Sequence, residues 1–222
     1  MKNKKENRNT NLTELVFILD KSGSMSGMEE DTIGGFNSML KKQQEAQGEA
    51  LVTTVVFSND LHTLHDRVPV EQVRPLTDAD YRVGGCTALL DAIGTTIKHI
   101  AKIHKYARPE DVPGQTLFVI TTDGLENASR RYDYAEVQRM VRHEQEKYGW
   151  EFLFLGANMD AISAAGRFGI RAERAVRYAP DSAGTALNFS VVSDTVAHFR
   201  ASRQIDENWA APITADYRKR GK

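Results

Sequence analysis

The sequence has a single cysteine, Cys86, among its 222 residues. One thiol excludes an intrachain disulfide and any zinc site built on a cysteine cluster, and it suits a reducing compartment. Long apolar runs are also missing. After a basic start, the first apolar stretch spans residues 15–19 and stops at Asp20. That is too short for the apolar part of a secretion signal and far too short to span a bilayer. A cytoplasmic protein with no membrane anchor is expected, so the Asn-X-Ser/Thr triplets at Asn11, Asn127 and Asn188 carry no meaning. No Walker loop, G-x-G-x-x-G or G-x-S-x-G motif is present, which removes the support for nucleotide binding and for serine hydrolysis. The six histidines are scattered; His62 and His65 fall on a hairpin where solvation is the expected state.

Charge of one sign is absent overall but not locally. Net charge is −1, yet residues 1–11 carry +3 and residues 218–222 carry +4, leaving −8 on residues 12–217. An acidic body argues against a nucleic-acid-binding face, and the basic tails read as solvated ends. A chain of this length suits one domain and can bury roughly 70% of its unfolded surface without covalent staples. The expected organisation is a flexible basic tail over 1–11, a domain over 12–203, and a C-terminal extension with a basic end over 204–222. A monomer is the expected state.

Apolar runs and helical patterns alternate along the chain. Residues 12–19 read as a strand buried on both faces, and residues 28–47 as a helix with Ile33, Phe36 and Leu40 on one face. The Gly34-Gly35 pair weakens that helix unless its backbone packs closely on a sheet. Residues 50–57 and 61–68 are strands joined by Ser58-Asn59-Asp60, which is hairpin chemistry. A strong helix follows over 88–104, then a buried strand over 115–122, a helix over 134–148, and a third buried run over 151–155. A short helix over 161–168, an edge strand over 172–178 and an amphipathic helix over 182–203 complete the pattern. Such alternation predicts an α/β fold, a mostly parallel sheet covered by helices on both faces. In such sheets ligands bind beyond the carboxyl ends of the strands.

Three apolar runs end in oxygen-bearing residues. The first runs into Asp20-Lys21-Ser22-Gly23-Ser24, the second into Thr121-Thr122-Asp123-Gly124, and the third into Gly156-Ala157-Asn158-Met159-Asp160. If these strands are parallel neighbours, Asp20 and Asp123 crowd one edge of the sheet, and a divalent cation is the simplest remedy for their repulsion. The candidate donors are hard oxygens with no histidine or cysteine ligand, which favours Mg²⁺, Mn²⁺ or Ca²⁺ over zinc or copper; few ligands and several hydroxyls favour Mg²⁺. A third loop, Gly84-Gly85-Cys86-Thr87-Ala88, precedes the strongest helix. Thr87 there is either a helix cap or a further donor.

Asp20-x-Ser22-x-Ser24 after the first strand, Thr87 before the central helix and Asp123-Gly124 after the fourth strand together resemble the metal-ion-dependent adhesion site of von Willebrand factor A domains. Order and spacing agree over residues 12–203. The segments Thr122-Asp123-Gly124-Leu125-Glu126-Asn127 and Phe154-Leu155-Gly156-Ala157-Asn158 are similar to the stand-alone bacterial members. The resemblance implies a three-layer, doubly wound, Rossmann-like sheet of six strands in order 3-2-1-4-5-6, with the antiparallel strand at an edge. It also implies that Ser22 and Ser24 ligate directly, that Asp20 and Asp123 act mostly through water, and that Thr87 ligates when a partner is bound. The implied function is a non-enzymatic, metal-dependent module that binds another protein through that protein's Asp or Glu.

Glu126, Asn127, Asn158 and Asp160 are expected on the same rim, shaping partner choice, unless Asn127 and Asp160 cap the helices that follow. Met25 is a candidate apolar contact there. The alternative from another class is a metal-dependent phosphotransferase of the haloacid-dehalogenase kind using Asp20. Such an enzyme needs a carboxylate two residues on, where this chain has Ser22.

Overall fold

The computed structural model describes residues 8–157 and 160–220. Strand β1 (Asn9–Asp20) leads through a short turn into α1 (Glu29–Glu45), and β2 (Glu49–Phe57) and β3 (Leu61–Pro69) form the expected hairpin. Then come α2 (Leu89–Tyr106), β4 (Pro113–Thr122), α3 (Tyr134–Tyr148), β5 (Glu151–Gly156), α4 (Ala161–Arg167), β6 (Ala175–Arg177), α5 (Ser182–Ser202) and α6 (Ala211–Lys219). The strands lie in the order β3-β2-β1-β4-β5-β6, and every neighbouring pair is parallel except β2 with β3. Residues 172–178 contain a helical turn before a strand of only three residues, so the sixth strand is shorter than its pattern predicts.

The central strands are apolar on both faces because each face has its own helices to cover it. Along β1, Leu15, Phe17 and Leu19 join one core with α1, α5 and α6, while Val16 and Ile18 join a second core with α2, α3 and α4. Strands β4 and β5 alternate in the same way, and Phe118 stacks on Phe152 at 4.9 Å and on Trp150 at 5.3 Å in the second core. Of the glycine pair in α1, Gly35 is explained by close packing, on α5 and not on the sheet: a Cβ there would lie 2.4 Å from the Phe189 ring, whereas one on Gly34 would meet nothing within 4 Å.

The extension after residue 203 is tied to the body. Ile205, Trp209 and Ile213 are buried in the first core, and the Trp209 indole donates to the Glu173 carbonyl at 2.9 Å. Helix α6 thereby packs on α5 and β6. At the other end, β1 starts at Asn9 and takes in residues expected to belong to the tail.

Several buried ionisable groups have no counterpart in the sequence pattern. Glu14, in the middle of the sheet and 0% exposed, accepts from Arg67 Nε at 2.8 Å and has His104 Nε2 at 3.1 Å. Arg67 sits where the β2–β3 register shifts, in a left-handed conformation at φ 51°. His65 is also buried, against expectation; burial, with help from the Arg74 charge, lowers its pKa.

Glu144 on α3 is buried as well, and burial pushes its pKa up to about 7, against a partial pull downward from Lys147 and Arg8. Between the ordinary carboxylate value and about 7, the folded chain holds this proton more tightly than the unfolded chain. Stability therefore falls as pH rises across that window. Glu144→Gln should be more stable than the parent by about 2 kcal/mol near pH 8 and by under about 0.5 kcal/mol near pH 5, after allowing for residual solvent around the group. Urea unfolding at the two pH values checks this, and a difference that does not grow with pH would contradict it.

Candidate metal centre

The parallel register sets the ends of β1 and β4 side by side: Leu19 pairs with Thr121, so Asp20 and Asp123 leave the sheet at the same edge. Both side chains are buried, at 1% and 3% exposure. Asp20 is held from two sides. Its Oδ1 accepts from the Ser22 amide at 2.7 Å, and its Oδ2 accepts from the Thr122 hydroxyl. Burial raises its pKa, those hydrogen bonds draw it down, and the charge on Asp123 raises it further.

Asp123 is the less satisfied of the two. Neither carboxylate oxygen has a hydrogen-bond partner among the described residues. Burial raises its pKa, and the Ser24 hydroxyl, near enough to ease the charge, offsets part of that rise. A buried carboxylate left this way costs free energy unless something positive meets it.

The hydroxyls converge on the same point. Ser22 Oγ and Ser24 Oγ are 3.1 Å apart. A Cβ on Gly124 would lie 2.7 Å from Thr87 Oγ1 and 3.0 Å from Ser24 Oγ, so glycine there leaves a space that a methyl group would fill. Thr87 does not cap α2: the cap position is Ala88, with no side-chain hydrogen bond. The amides of that helix end are instead met by Glu126 Oε2, which accepts from Leu90 N at 2.8 Å, and by Ser129 Oγ, which accepts from Asp91 N at 3.0 Å. The Thr87 hydroxyl is left facing the other donors.

Backbone contacts lock the three loops together. Gly23 N donates to Gly85 O at 3.0 Å, Gly84 N donates to Lys21 O at 2.9 Å, and Ala88 N donates to Ser58 O at 2.9 Å. Asn59 Oδ1 accepts from Cys86 N at 2.9 Å, so the β2–β3 turn also fixes this loop. Gly85 has φ +83°, and a side chain on it would collide with Asn59 at 2.2 Å. Among the described residues no three His, Cys, Asp or Glu side chains converge as a metal cluster. A cation here would depend on hydroxyls, and this all-oxygen donor set suits a hard divalent ion.

Several rim expectations need correction. Met25 is 2% exposed and belongs to the first core, because its helical turn folds it inward. The exposed apolar position beside the centre is Leu125, at 65%. Glu126 is committed to the backbone, its Oε1 accepting from Ala128 N and Ser129 N. Asn127 Oδ1 accepts from Thr87 N at 2.9 Å. These two residues position the Thr87 loop, and Asn127 stays exposed. Asp160 caps α4, its Oδ1 accepting from Ser163 N at 3.1 Å, and it stays exposed. Asn158 lies outside the described residues.

Sequence patterns missed Thr122, whose hydroxyl also accepts from Gly124 N at 3.2 Å, and two tyrosines. The Tyr81 hydroxyl donates to the Asp20 carbonyl, and Tyr178 is buried close enough for the charges of Asp123 and Asp20 to raise its pKa beyond the effect of burial. Tyr81 comes from a loop with no periodicity and Tyr178 from the very end of the expected edge strand, and only Thr122 sits next to a residue that draws notice.

No protein-family model and no curated protein matches the sequence. Solved structures do. One is a von Willebrand factor type A protein from Catenulispora acidiphila, 14% identical, with a TM-score of 0.53 over 85% of this chain and 43% of that one. Another is the von Willebrand factor domain of a type V pili tip protein from Porphyromonas gingivalis, 11% identical, with a TM-score of 0.54 over 84% and 95%. This is the von Willebrand factor A fold. A third neighbour with that fold, proximal thread matrix protein 1 from the mussel byssus with a zinc-occupied MIDAS motif, is 14% identical, with a TM-score of 0.54 over 84% and 48%. The chain spans about half the length of several such structures. The von Willebrand factor A fold also accounts for the lone antiparallel strand, which sits at the sheet edge as expected. Among the described residues no helix is long and apolar enough to cross a membrane.

Proposed function

We propose that Asp20, Ser22, Ser24, Thr87 and Asp123 hold one divalent cation, and that the domain uses it to bind another protein. The observation that carries this reading is the buried Asp123 carboxylate, which lacks a hydrogen-bond partner beside a second buried carboxylate and three converging hydroxyls. Mg²⁺ fits the donor set best, with Mn²⁺ and Ca²⁺ also compatible. When bound, such an ion, held directly by neutral hydroxyls with Asp20 and Asp123 acting mostly through water, would supply an electrophilic open position to an Asp or Glu of a partner. The chain's own residues set the geometry: Thr122 and the Ser22 amide orient Asp20, and Asn127 holds the Thr87 loop. Metal and partner then reinforce each other's affinity by linkage. The zinc in the mussel protein supports the capacity of this fold for a divalent ion.

The reading is a non-enzymatic cytoplasmic adaptor. The phosphotransferase alternative needs a second carboxylate two residues after Asp20, where this chain has Ser22. The test is affinity capture of partners from a lysate with Mg²⁺ present. Asp20→Ala and Thr87→Ala should each lose the captured protein, as should EDTA treatment of the parent. Undiminished capture in all three cases would refute the proposal.

A further inference from the structure

A wide cleft lies at the other end of the sheet. It has a volume of about 880 Å³ and runs between α2 and α3, floored by residues such as Ile97, Met140 and Trp150. Val112 and Trp150, which immediately precede β4 and β5, line it. The cleft therefore opens at the amino ends of the strands, opposite the Asp20–Asp123 edge.

Its charge runs against that of the body. Arg8, Lys98, Lys102, Lys105, Arg139 and Lys147 line it, against two carboxylates, Glu136 and Glu144, on a body whose net charge between the tails is −8. Lys98, Lys102 and Lys105 recur at helical spacing on one wall, and Arg139 and Lys147 stand two turns apart on the other. These five are exposed, and none forms an ion pair among the described residues. Cations set aside in this way are attractive to a ligand, whereas paired ones would not be. Tyr106, the most exposed large apolar side chain among the described residues at 73%, stands at the same cleft. Of the two carboxylates, Glu144 is held near half-ionised at neutral pH by burial and so opposes an incoming anion less than a surface glutamate would.

We propose that this cleft is a second docking site, which takes an acidic peptide segment of a partner protein carrying apolar side chains among its Asp and Glu residues. Two rows of cations above an apolar floor favour a ligand that repeats its charge along its length, which a compact anion does not. The cations line a concavity, which a flat bilayer cannot enter. The acidic body outside the cleft repels an extended polyanion such as RNA. The site is independent of the metal centre and needs no ion.

The probe is a short fluorescein-labelled peptide with glutamates and leucines at helical spacing, titrated with the full chain and followed by anisotropy. Lys98→Glu combined with Lys102→Glu should weaken binding at least about tenfold. Ala101→Trp, which fills the cleft without changing its charge, should weaken it as well. Arg218→Glu combined with Lys219→Glu makes the same change in charge on α6 and should leave binding unchanged. EDTA and Asp20→Ala should also leave it unchanged, so failure of the metal reading would not disturb this result. The proposal is overturned if reversal in the cleft weakens binding no more than reversal on α6. It is equally overturned if EDTA abolishes binding, if a lysine-for-glutamate version of the peptide binds as tightly, or if a single-stranded oligonucleotide or phosphatidylserine vesicles bind more tightly through the same lysines.

Discussion

Replacing Asp123 with Asn is expected to raise the melting temperature of the metal-free protein and to abolish any further rise on adding Mg²⁺. The two effects have one cause. In the absence of a cation, Asp123 is a buried carboxylate without a hydrogen-bond partner and beside Asp20. Neutralising it removes a like-charge contact and a desolvated charge, a gain of about 1–2 kcal/mol. For a chain of this size that corresponds to roughly 3–6 °C. With a cation the balance reverses. The parent should gain about 2.7 kcal/mol at a Mg²⁺ concentration 100 times Kd, and Asp123→Asn, having lost a charged donor, should gain almost nothing. Differential scanning calorimetry with and without EDTA separates the two states. A variant less stable than the parent in EDTA would mean that Asp123 has a structural partner, and the electrostatic account of the site would fall.

Glu14→Ala should be the most damaging single substitution in the sheet. It leaves the Arg67 guanidinium, part of which already lacks a partner, without its carboxylate at 2.8 Å. Breaking one side of a buried ion pair costs about 3–5 kcal/mol, which for this length means a fall in melting temperature of about 10 °C or more. The double change Glu14→Leu with Arg67→Leu should recover much of the loss, because it removes both charges together. Guanidinium unfolding of the three proteins decides the matter. A loss under about 1 kcal/mol for Glu14→Ala would show that the pair is solvated.

The contrast between these residues explains what a sequence can reveal here. Asp20, Ser22 and Ser24 are legible because their donors lie two residues apart, running from the end of a buried strand into its loop, and Asp123 because it directly follows the strand beside it. The central strands are legible for a related reason: burial on both faces leaves Val16–Ile18 and Phe118–Ile120 no room for polar interruption. Glu14 is opaque because its partners stand 53 and 90 residues away. Thr87 is legible as a residue of interest but not in its role, since only the structure shows that Glu126 and Ser129 meet the amides of the α2 end. Met25 misleads because a methionine beside a loop reads the same whether the turn points it out or in. Helix α6 is hard to read because Ile213 is the one buried residue it contributes, too little to set a period.

The packing of α6 on β6 bears on how the protein behaves at high concentration. A sheet edge is a template on which unrelated chains can add strands. Here β6 offers only three residues and is flanked by α6, while β3 at the far side is broken in register and twisted at Arg67. Neither edge presents a long flat ladder. Deleting residues 204–222 should therefore do more than shorten the chain: it would uncover the β6 side together with the apolar faces that Trp209 and Ile213 cover, turning a self-limiting sheet into one that can recruit its neighbours into fibrils.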